Sequence, residues 1–165
     1  MTLQIGQKIP NVCLKLATSE GSKEISTDEL FNGKKSIVFA LPGAFTPVCT
    51  ARHLPDFAAN KAALQKAGVD QIICLSVNDA FVMQAWAESL NVGDTVLMLC
   101  DGNGTLTEAL GMTMDLSAHG LGMRSKRYAM IVDDCVVKHL EIEDSPATCS
   151  VSSAEHFVNL LSKAA

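Results

Sequence analysis

The sequence is poor in aromatic and charged residues, and no two of its cysteines are spaced as Cys-x-x-Cys. Aromatic residues make up 5% and charged residues 19% of the 165 residues, and the net charge is −5. With few aromatic side chains and no basic run, the surface offers little to bases or phosphates, so nucleic acid is not expected as a partner. A membrane is not expected either, because no apolar run reaches the roughly 20 residues of a spanning helix.

Other absences bear on the compartment and on cofactors. The first residues do not combine a basic stretch with an apolar one, so no secretory signal peptide is expected. The six cysteines match no zinc-site spacing, and a chain of this length can bury a core without disulfides. We therefore expect one domain over residues 1–165 and no metal or other cofactor. A reducing compartment follows: the cytoplasm, or an organelle if a transit peptide has been removed.

The chain does contain an alternation of apolar, strand-like segments with amphipathic, helical ones. The pattern predicts a helical turn at 27–30, strands at 36–41, 71–77 and 96–100, helices at 47–66, 80–90 and 105–110, and a hairpin of 128–132 with 136–142. Pro55 should kink the long helix. Ser152 and Glu155 have capping-box spacing, which predicts a last helix running through Lys163. This order predicts an α/β fold with a central mixed sheet covered on both faces.

The segment PGAFTPVCT, residues 42–50, lies between a predicted strand and a predicted helix. Thr46 is a good N-cap residue, and Pro47 suits the first helical position, where its missing N–H is not needed. Cys49 then falls in the first turn, where free backbone N–H groups and the positive end of the helix dipole favour a thiolate. Because the thiolate is the reactive form of cysteine, the segment is predicted to activate one sulfur.

The spacing Pro42-x-x-x-Thr46-x-x-Cys49 resembles the active-site signature of the peroxiredoxins. The longer string Pro-Gly-Ala-Phe-Thr-Pro-x-Cys is similar to that of their type-II, atypical two-cysteine subgroup. Residues 74–81 and 124–130 are similar to the second strand and to the arginine-bearing strand of the same subgroup. The resemblance covers nearly the whole chain, and it implies a thioredoxin-like fold.

The resemblance implies a thiol-dependent peroxidase that works without metal or haem. Cys49 would attack hydrogen peroxide or an alkyl hydroperoxide, releasing water or an alcohol and leaving a sulfenic acid. The Thr46 hydroxyl would hydrogen-bond both the sulfur and the peroxide, and Pro42, which has no N–H, would wall the pocket. Arg127 would favour the thiolate and hold the peroxide, because a guanidinium is always cationic and carries several donors.

Two arginines compete for that role. Arg127 is preferred because it directly precedes the predicted strand at 128–132, where the family carries its arginine. Arg124 is the second choice, and otherwise both it and Lys126 are expected to be solvated surface charges. His53 lies one helical turn after Cys49, where it would either orient a neighbour as a neutral imidazole or pack in the core.

The resemblance also implies that a thiol must reduce the sulfenic acid. Cys149 matches the animal-type resolving cysteine, in a loop before the last helix, whereas Cys74 matches the second cysteine of plant-type members, inside an apolar run. We favour Cys149, because a loop rearranges more easily than a buried strand. If Cys149 is an idle exposed thiol, an external thiol would reduce Cys49 directly. The reductant would be thioredoxin, glutaredoxin or glutathione. The other cysteines are expected to pack in the core: Cys13, Cys100 and Cys135.

Quaternary structure and a rival function complete these expectations. The resemblance implies a homodimer that packs near the active-site face, to which Phe45, Pro47 and Phe81 could contribute. The rival is a redox sensor or relay that passes oxidation from Cys49 to a partner protein. A general disulfide oxidoreductase is disfavoured, because such enzymes use paired cysteines of the Cys-x-x-Cys type.

Overall fold

Seven strands form one mixed sheet in the computed structural model of the chain, which describes residues 2–164 and, of residue 164, the backbone alone. The strands are β1 (Cys13–Thr18), β2 (Gly21–Ser26), β3 (Lys35–Leu41), β4 (Gln71–Ser76), β5 (Leu97–Cys100), β8 (Tyr128–Asp133) and β9 (Val136–Ile142). Their order is β2-β1-β5-β4-β3-β8-β9. Strands β3, β4 and β5 are parallel, and the other neighbours are antiparallel. A separate two-stranded sheet pairs β6 (Thr113–Asp115) with β7 (Met123–Ser125).

Helices cover both faces of the large sheet. They are α1 (Thr27–Phe31), α2 (Leu54–Ala59), α3 (Lys61–Lys66), α4 (Ala80–Ser89), α5 (Thr105–Ala109) and α6 (Ala154–Ala164), with a π turn at Cys49–His53 and a 3-10 turn at Ser117–His119. Alternate residues of β3 point into two apolar clusters. One cluster takes in residues of α2, α3, α4 and α6, and the other takes in residues of α1 and α5. The predicted mixed sheet with helices on both faces is therefore confirmed.

The register of β3 and β8 determines where the site lies. Ala40 of β3 is opposite Tyr128 of β8, so Arg127 lies beside the end of β3, where the 42–49 segment begins. Tyr128 is in turn opposite Ile142, the last residue of β9. The backbone N–H of Glu143 donates to the Arg127 carbonyl at 2.9 Å. Three segments distant in sequence thus meet at one edge of the sheet.

The first hairpin and the small second sheet were not predicted. In β2 the sequence GSKEIS is mostly polar, and none of its residues is fully buried. An edge strand of this kind carries no apolar run and only a weak alternation, so periodicity does not reveal it. Strands β6 and β7 have three residues each, which is too short for a pattern.

The long helix predicted at 47–66 is interrupted twice. After residues 47–48, a π turn occupies Cys49–His53, and the N–H of Leu54 donates to the Cys49 carbonyl, five residues back. Pro55 follows at once, and its ring and missing N–H are accommodated where the hydrogen-bond pattern has already widened. The predicted effect of Pro55 therefore takes the form of a π turn. A second break, at Asn60, separates α2 from α3 and was not predicted.

Two further predictions about individual residues were wrong. The cap of α6 is Ser153, whose hydroxyl accepts from the His156 N–H at 3.1 Å, and not Ser152, whose hydroxyl donates to Glu143. Because the Ser152 hydroxyl donates to the buried Glu143 carboxylate, the cap of the helix is Ser153, one residue later. Cys13 is exposed at the start of β1, whereas Cys100 and Cys135 are buried as predicted.

Candidate active site

Cys49 lies in the π turn with its side chain fully buried. The guanidinium of Arg127 donates from Nη2 to Cys49 Sγ at 3.0 Å. A cationic donor is thus directed at the atom that is negative in the thiolate. Since helical geometry begins at residue 47, Cys49 lies in the first turn, as predicted.

Arg127 is itself buried, with 2% of its surface exposed, and its three nitrogens each have a partner. Besides Cys49, Nη1 contacts His53 Nδ1 at 2.7 Å, and Nε donates to the carbonyl of Pro146 at 3.2 Å. The planar fork of a guanidinium holds several acceptors at fixed angles, which a flexible ammonium does not do. The guanidinium is therefore held in one orientation beside the sulfur.

His53 is buried beneath Arg127. Its Nε2 lies 3.0 Å from the carbonyl of Ser152, which can only accept, so Nε2 carries the hydrogen. Nδ1 is then the acceptor for Arg127. Burial first, and the Arg127 cation second, lower the pKa of His53 from 6.5 to about 3. Both readings left open from the sequence fit His53: it is a neutral imidazole that contacts Arg127, and its ring packs in the core against Phe39 and Phe57.

Hydrogen bonds to backbone groups hold the loop before Cys49 in place. The Thr46 hydroxyl donates to the Gly43 carbonyl at 2.6 Å, and the Ala44 N–H donates to Asn78 Oδ1 at 2.9 Å. Phe45 has a φ of 62°, a left-handed conformation that is uncommon for a residue with a side chain. The predicted capping by Thr46 is only half right: its carbonyl accepts from the Thr50 N–H, but its hydroxyl turns back toward Gly43. Pro42 is buried at the base of this loop.

Arg124 is not the free surface charge that the sequence suggested. It is half-buried, and it donates from Nε to the Leu121 carbonyl at 2.8 Å and from Nη1 to the carbonyls of Pro42 at 3.4 Å and Val77 at 3.5 Å. A Cβ added at Gly43 would lie 2.7 Å from Arg124 Nη1, so a larger residue there would displace the end of the Arg124 side chain. Arg124 thus supports the loop backbone, whereas Arg127 contacts the sulfur.

The two candidate resolving cysteines occupy different surroundings. Cys74 is in the centre of β4, fully buried in the same apolar cluster as Cys49, and burial raises its pKa well above the usual value. Cys149 lies between β9 and α6 and is 7% exposed, so the reading of it as an exposed thiol is wrong. Burial also raises the pKa of Cys149, and the Arg127 cation partly offsets this. An open cleft of about 750 Å³ borders Cys149, with Arg52 and Asp56 in its wall.

Over residues 2–164 no group of three or more His, Cys, Asp or Glu side chains is placed to hold a metal ion. Within the same residues no helix has both the length and the apolar character needed to cross a bilayer.

Comparison with known proteins gives consistent matches. The family model described as Redoxin matches residues 4–158. The chain is 49% identical to the chloroplastic peroxiredoxin-2E-2 of Oryza sativa subsp. japonica, over 97% of this chain and 73% of that protein. It is 45% identical to the chloroplastic peroxiredoxin-2E of Arabidopsis thaliana, over 97% and 70%. The crystal structure of reduced Prx3 from Vibrio vulnificus in complex with H2O2 is 46% identical, covers 97% of this chain and 99% of its own, and has a TM-score of 0.90.

The fold and the buried cysteine with its arginine define a thiol-based enzyme with a thioredoxin-like sheet. The chain belongs to the Redoxin family and, within it, to the peroxiredoxins, which are peroxidases. The family and the enzyme class predicted from the sequence are thus confirmed.

Proposed function

We propose that Cys49 is the peroxidatic cysteine and that Arg127 is the catalytic cation beside it. The observation that supports this most directly is the 3.0 Å hydrogen bond from Arg127 Nη2 to Cys49 Sγ inside a buried site. A donor fixed in a low-dielectric site stabilises developing negative charge more strongly than a donor in water. Arg127 can therefore act on both the thiolate and the departing oxygen.

The reaction that fits is a displacement at oxygen. The Cys49 thiolate attacks one peroxide oxygen, so that an S–O bond forms as the O–O bond breaks. The proton of the attacked oxygen passes to the leaving oxygen, which departs as water or an alcohol. The remaining sulfenate takes a proton from solvent to give the sulfenic acid. Hydrogen peroxide and alkyl hydroperoxides are the proposed substrates.

Thr46 and Pro42 complete the proposed pocket. The Thr46 hydroxyl donates its hydrogen to the Gly43 carbonyl. Its oxygen lone pairs are therefore free to accept a hydrogen bond from the peroxide O–H. Pro42 is buried at the end of β3 and has no N–H to compete for the peroxide. In this proposal Thr46 orients the peroxide as an acceptor, while Arg127 holds it as a donor.

We propose Cys149 as the resolving cysteine and Cys74 as the second candidate. Bringing Cys74 to Cys49 would disturb a central strand, because Cys74 is paired with Phe39 on one side and Met98 on the other. Cys149 is in a connecting segment, which can move without breaking the sheet. Attack of the Cys149 thiol on the sulfenic acid gives a disulfide and water, and thioredoxin, glutaredoxin or glutathione then reduces the disulfide.

The proposal is tested by replacing single cysteines. The Cys49→Ser variant should lose peroxide reduction, while Cys100→Ser, a matched change at another buried thiol, should keep it. Near-normal turnover by Cys49→Ser would show that Cys49 is not the peroxidatic cysteine. The Cys149→Ser variant should keep the first oxidation of Cys49 but lose thioredoxin-supported turnover. If Cys74→Ser shows that loss instead, the resolving roles are reversed.

The remaining features of the proposal concern the whole chain. We propose that residues 1–165 form one domain, since both apolar clusters pack on the same sheet. A homodimer is proposed through the exposed side chains of Phe45 and Phe81. The free thiols fit a reducing compartment, either the cytoplasm or, as for the two chloroplastic relatives, an organelle.

A further inference from the structure

Glu143 is a buried carboxylate that the peroxidase chemistry does not use. It is 8% exposed and follows the last residue of β9. Its Oε1 accepts from the N–H groups of Ser150 at 2.6 Å and Ser152 at 2.9 Å and from the Ser152 hydroxyl at 2.8 Å. Its Oε2 accepts from the hydroxyls of Thr148 at 3.1 Å and Ser150 at 3.3 Å. These donors come from both sides of Cys149.

The charge state of Glu143 agrees with this arrangement. Burial pushes the pKa of Glu143 upward, but the hydrogen bonds from Ser152, Ser150 and Thr148 together outweigh burial and leave the pKa below its usual value. Glu143 is thus an anion at neutral pH, and hydrogen bonds to an anion are about twice as strong as those between neutral groups.

The segment that Glu143 holds, residues 143–153, also contacts the peroxidatic site. The carbonyl of Pro146 accepts from Arg127 Nε, and the carbonyl of Ser152 accepts from His53 Nε2. Ser152 therefore bonds Glu143 through its N–H and hydroxyl, and bonds His53 through its carbonyl. One continuous hydrogen-bond network joins Glu143 to Cys49 through Ser152, His53 and Arg127.

This network has a direct consequence for Cys149. Both Cys49 and Cys149 are buried, and each Sγ must reach bonding distance of about 2.05 Å before a disulfide can form. The two thiols are unbonded in this structure, and a movement of residues 143–153 that carries Cys149 to Cys49 would break hydrogen bonds to Glu143. The ease with which Cys149 leaves its buried place depends on those bonds.

We propose that Glu143 is a positioning residue that holds residues 143–153 closed over the Cys49 site and so sets the rate at which Cys149 becomes available. The proposal rests on the proposed function in taking Cys149 as the thiol that resolves Cys49. It assigns to Glu143 no contact with the peroxide and no proton transfer. Loss of the carboxylate should free the loop while the sheet and the sulfur of Cys49 stay in place.

The test measures Cys149 in the reduced protein without any peroxide. Wild-type, Glu143→Gln and Glu143→Ala proteins are treated with N-ethylmaleimide at fixed pH, and labelling at Cys149 and at Cys100 is followed by peptide mass. Loss of hydrogen bonds to a buried anion should raise the labelling rate of Cys149 by about tenfold or more in Glu143→Ala, and less in Glu143→Gln. Labelling of Cys100, which is buried elsewhere, should not change.

A matched control tests whether the labelling rate of Cys149 depends on the hydrogen bonds of Glu143 or only on a nearby negative charge. Glu155 is exposed in α6 and lines the same cleft as Cys149, so Glu155→Gln removes a nearby negative charge without touching the network. Its Cys149 should be labelled at the wild-type rate. The proposal would be overturned if the labelling rate of Cys149 rose equally in Glu155→Gln and Glu143→Gln. It would also be overturned if the labelling rate of Cys149 in Glu143→Ala stayed within about twofold of the wild-type rate.

A second readout remains if Glu143→Ala fails to fold. Hydrogen exchange at the Ser150 and Ser152 amides should be faster in Glu143→Gln than in the wild type, while the amides of β8 keep their protection. Unchanged exchange at both serines, or faster exchange across β8 as well, would overturn the positioning role. Because neither experiment uses peroxide, failure of the proposed function would be recognised separately, by the turnover of the Cys49→Ser and Cys149→Ser variants.

Discussion

At the residue scale, the arrangement depends on one buried guanidinium. Arg127 contacts the sulfur of Cys49, the ring of His53 and the carbonyl of Pro146, which come from two different segments, the π turn at Cys49–His53 and the loop after β9. The resemblance to the peroxiredoxins, which carry an arginine directly before this strand, singled out Arg127 in the sequence. The contacts of His53 were not predictable, because Arg127 and Ser152 lie in other segments of the chain. Those of Glu143 were not predictable either, because its partners belong to a loop whose conformation follows no periodic pattern.

The first prediction concerns that guanidinium. Arg127→Gln should slow the second-order oxidation of Cys49 by about a hundredfold to a thousandfold, the usual loss when one donor to a developing oxyanion is removed. The rate can be followed by stopped-flow fluorescence of the single tryptophan, Trp86, whose Nε1 donates to Thr50 next to Cys49. Lys126→Gln, which removes a neighbouring cation, should leave the rate near wild type. Equal losses in the two variants would mean that only net charge matters.

The second prediction concerns His53 and pH. The pKa of His53 is about 3 in the folded protein and 6.5 as its ordinary value, so below about pH 6.5 the unfolded chain binds a proton that the folded chain does not. The free energy of unfolding should therefore fall as pH falls through this range, by about 2 kcal/mol from this residue between about pH 7.5 and pH 5.

Urea denaturation at both pH values checks this contribution. The fall should be about 2 kcal/mol smaller in His53→Gln than in the wild type, because glutamine does not titrate. His119→Gln, a change in the exposed 3-10 turn, serves as the control and should retain the wild-type pH dependence. A wild-type-like fall in His53→Gln would show that His53 is not held neutral.

At the element scale, the sequence predicted the apolar strands and the helices at 80–90 and 105–110 well, but it missed features that depend on tertiary contacts, among them the π turn and the break at Asn60 within the helix predicted at 47–66. The run at 36–41 is buried on both faces as β3, and it is visible in the sequence because residues 37–41 are all apolar. The π turn before Pro55 was not foreseen, since a proline in a helical pattern indicates a disturbance but not its form. The cap of α6 was misplaced because the Ser152 hydroxyl donates to Glu143, a side-chain contact that capping-box spacing does not reveal.

The third prediction tests the corrected cap. Ser153→Ala should lower the free energy of unfolding by about 1 kcal/mol, because the His156 N–H loses its acceptor at the start of α6. Ser162→Ala, at the exposed end of the same helix, removes only a hydroxyl that donates to the Val158 carbonyl and should change stability little. Thermal or urea unfolding of both variants provides the comparison. Equal effects at the two positions would argue against a capping role.

At the scale of the whole molecule, the fold gathers the site at one edge of the sheet and leaves large apolar side chains exposed near it. Phe81 is 85% exposed and Phe45 55%. An exposed phenylalanine gains roughly 1.5–3 kcal/mol when it is fully buried, and in a symmetric dimer the gain is counted twice. Sequence patterns identify such residues as apolar, but the pattern alone does not reveal that they are left uncovered by the fold.

The fourth prediction addresses the proposed homodimer. Phe81→Glu should weaken self-association by at least about a hundredfold, measured by sedimentation equilibrium. Ile5→Glu, at an exposed apolar residue of the N-terminal segment, should leave association unchanged. If both variants associate as the wild type does, Phe81 has no part in a dimer.

The central claim is that Cys49 is the sulfur that peroxide oxidises, and cysteine mapping tests it most directly. The reduced protein is treated with one equivalent of hydrogen peroxide, free thiols are blocked, and the six cysteines are mapped by mass without reduction. We expect selective oxidation of Cys49, trapped as a disulfide with Cys149. Oxidation confined to the exposed Cys13, or spread evenly over all the cysteines, would contradict it.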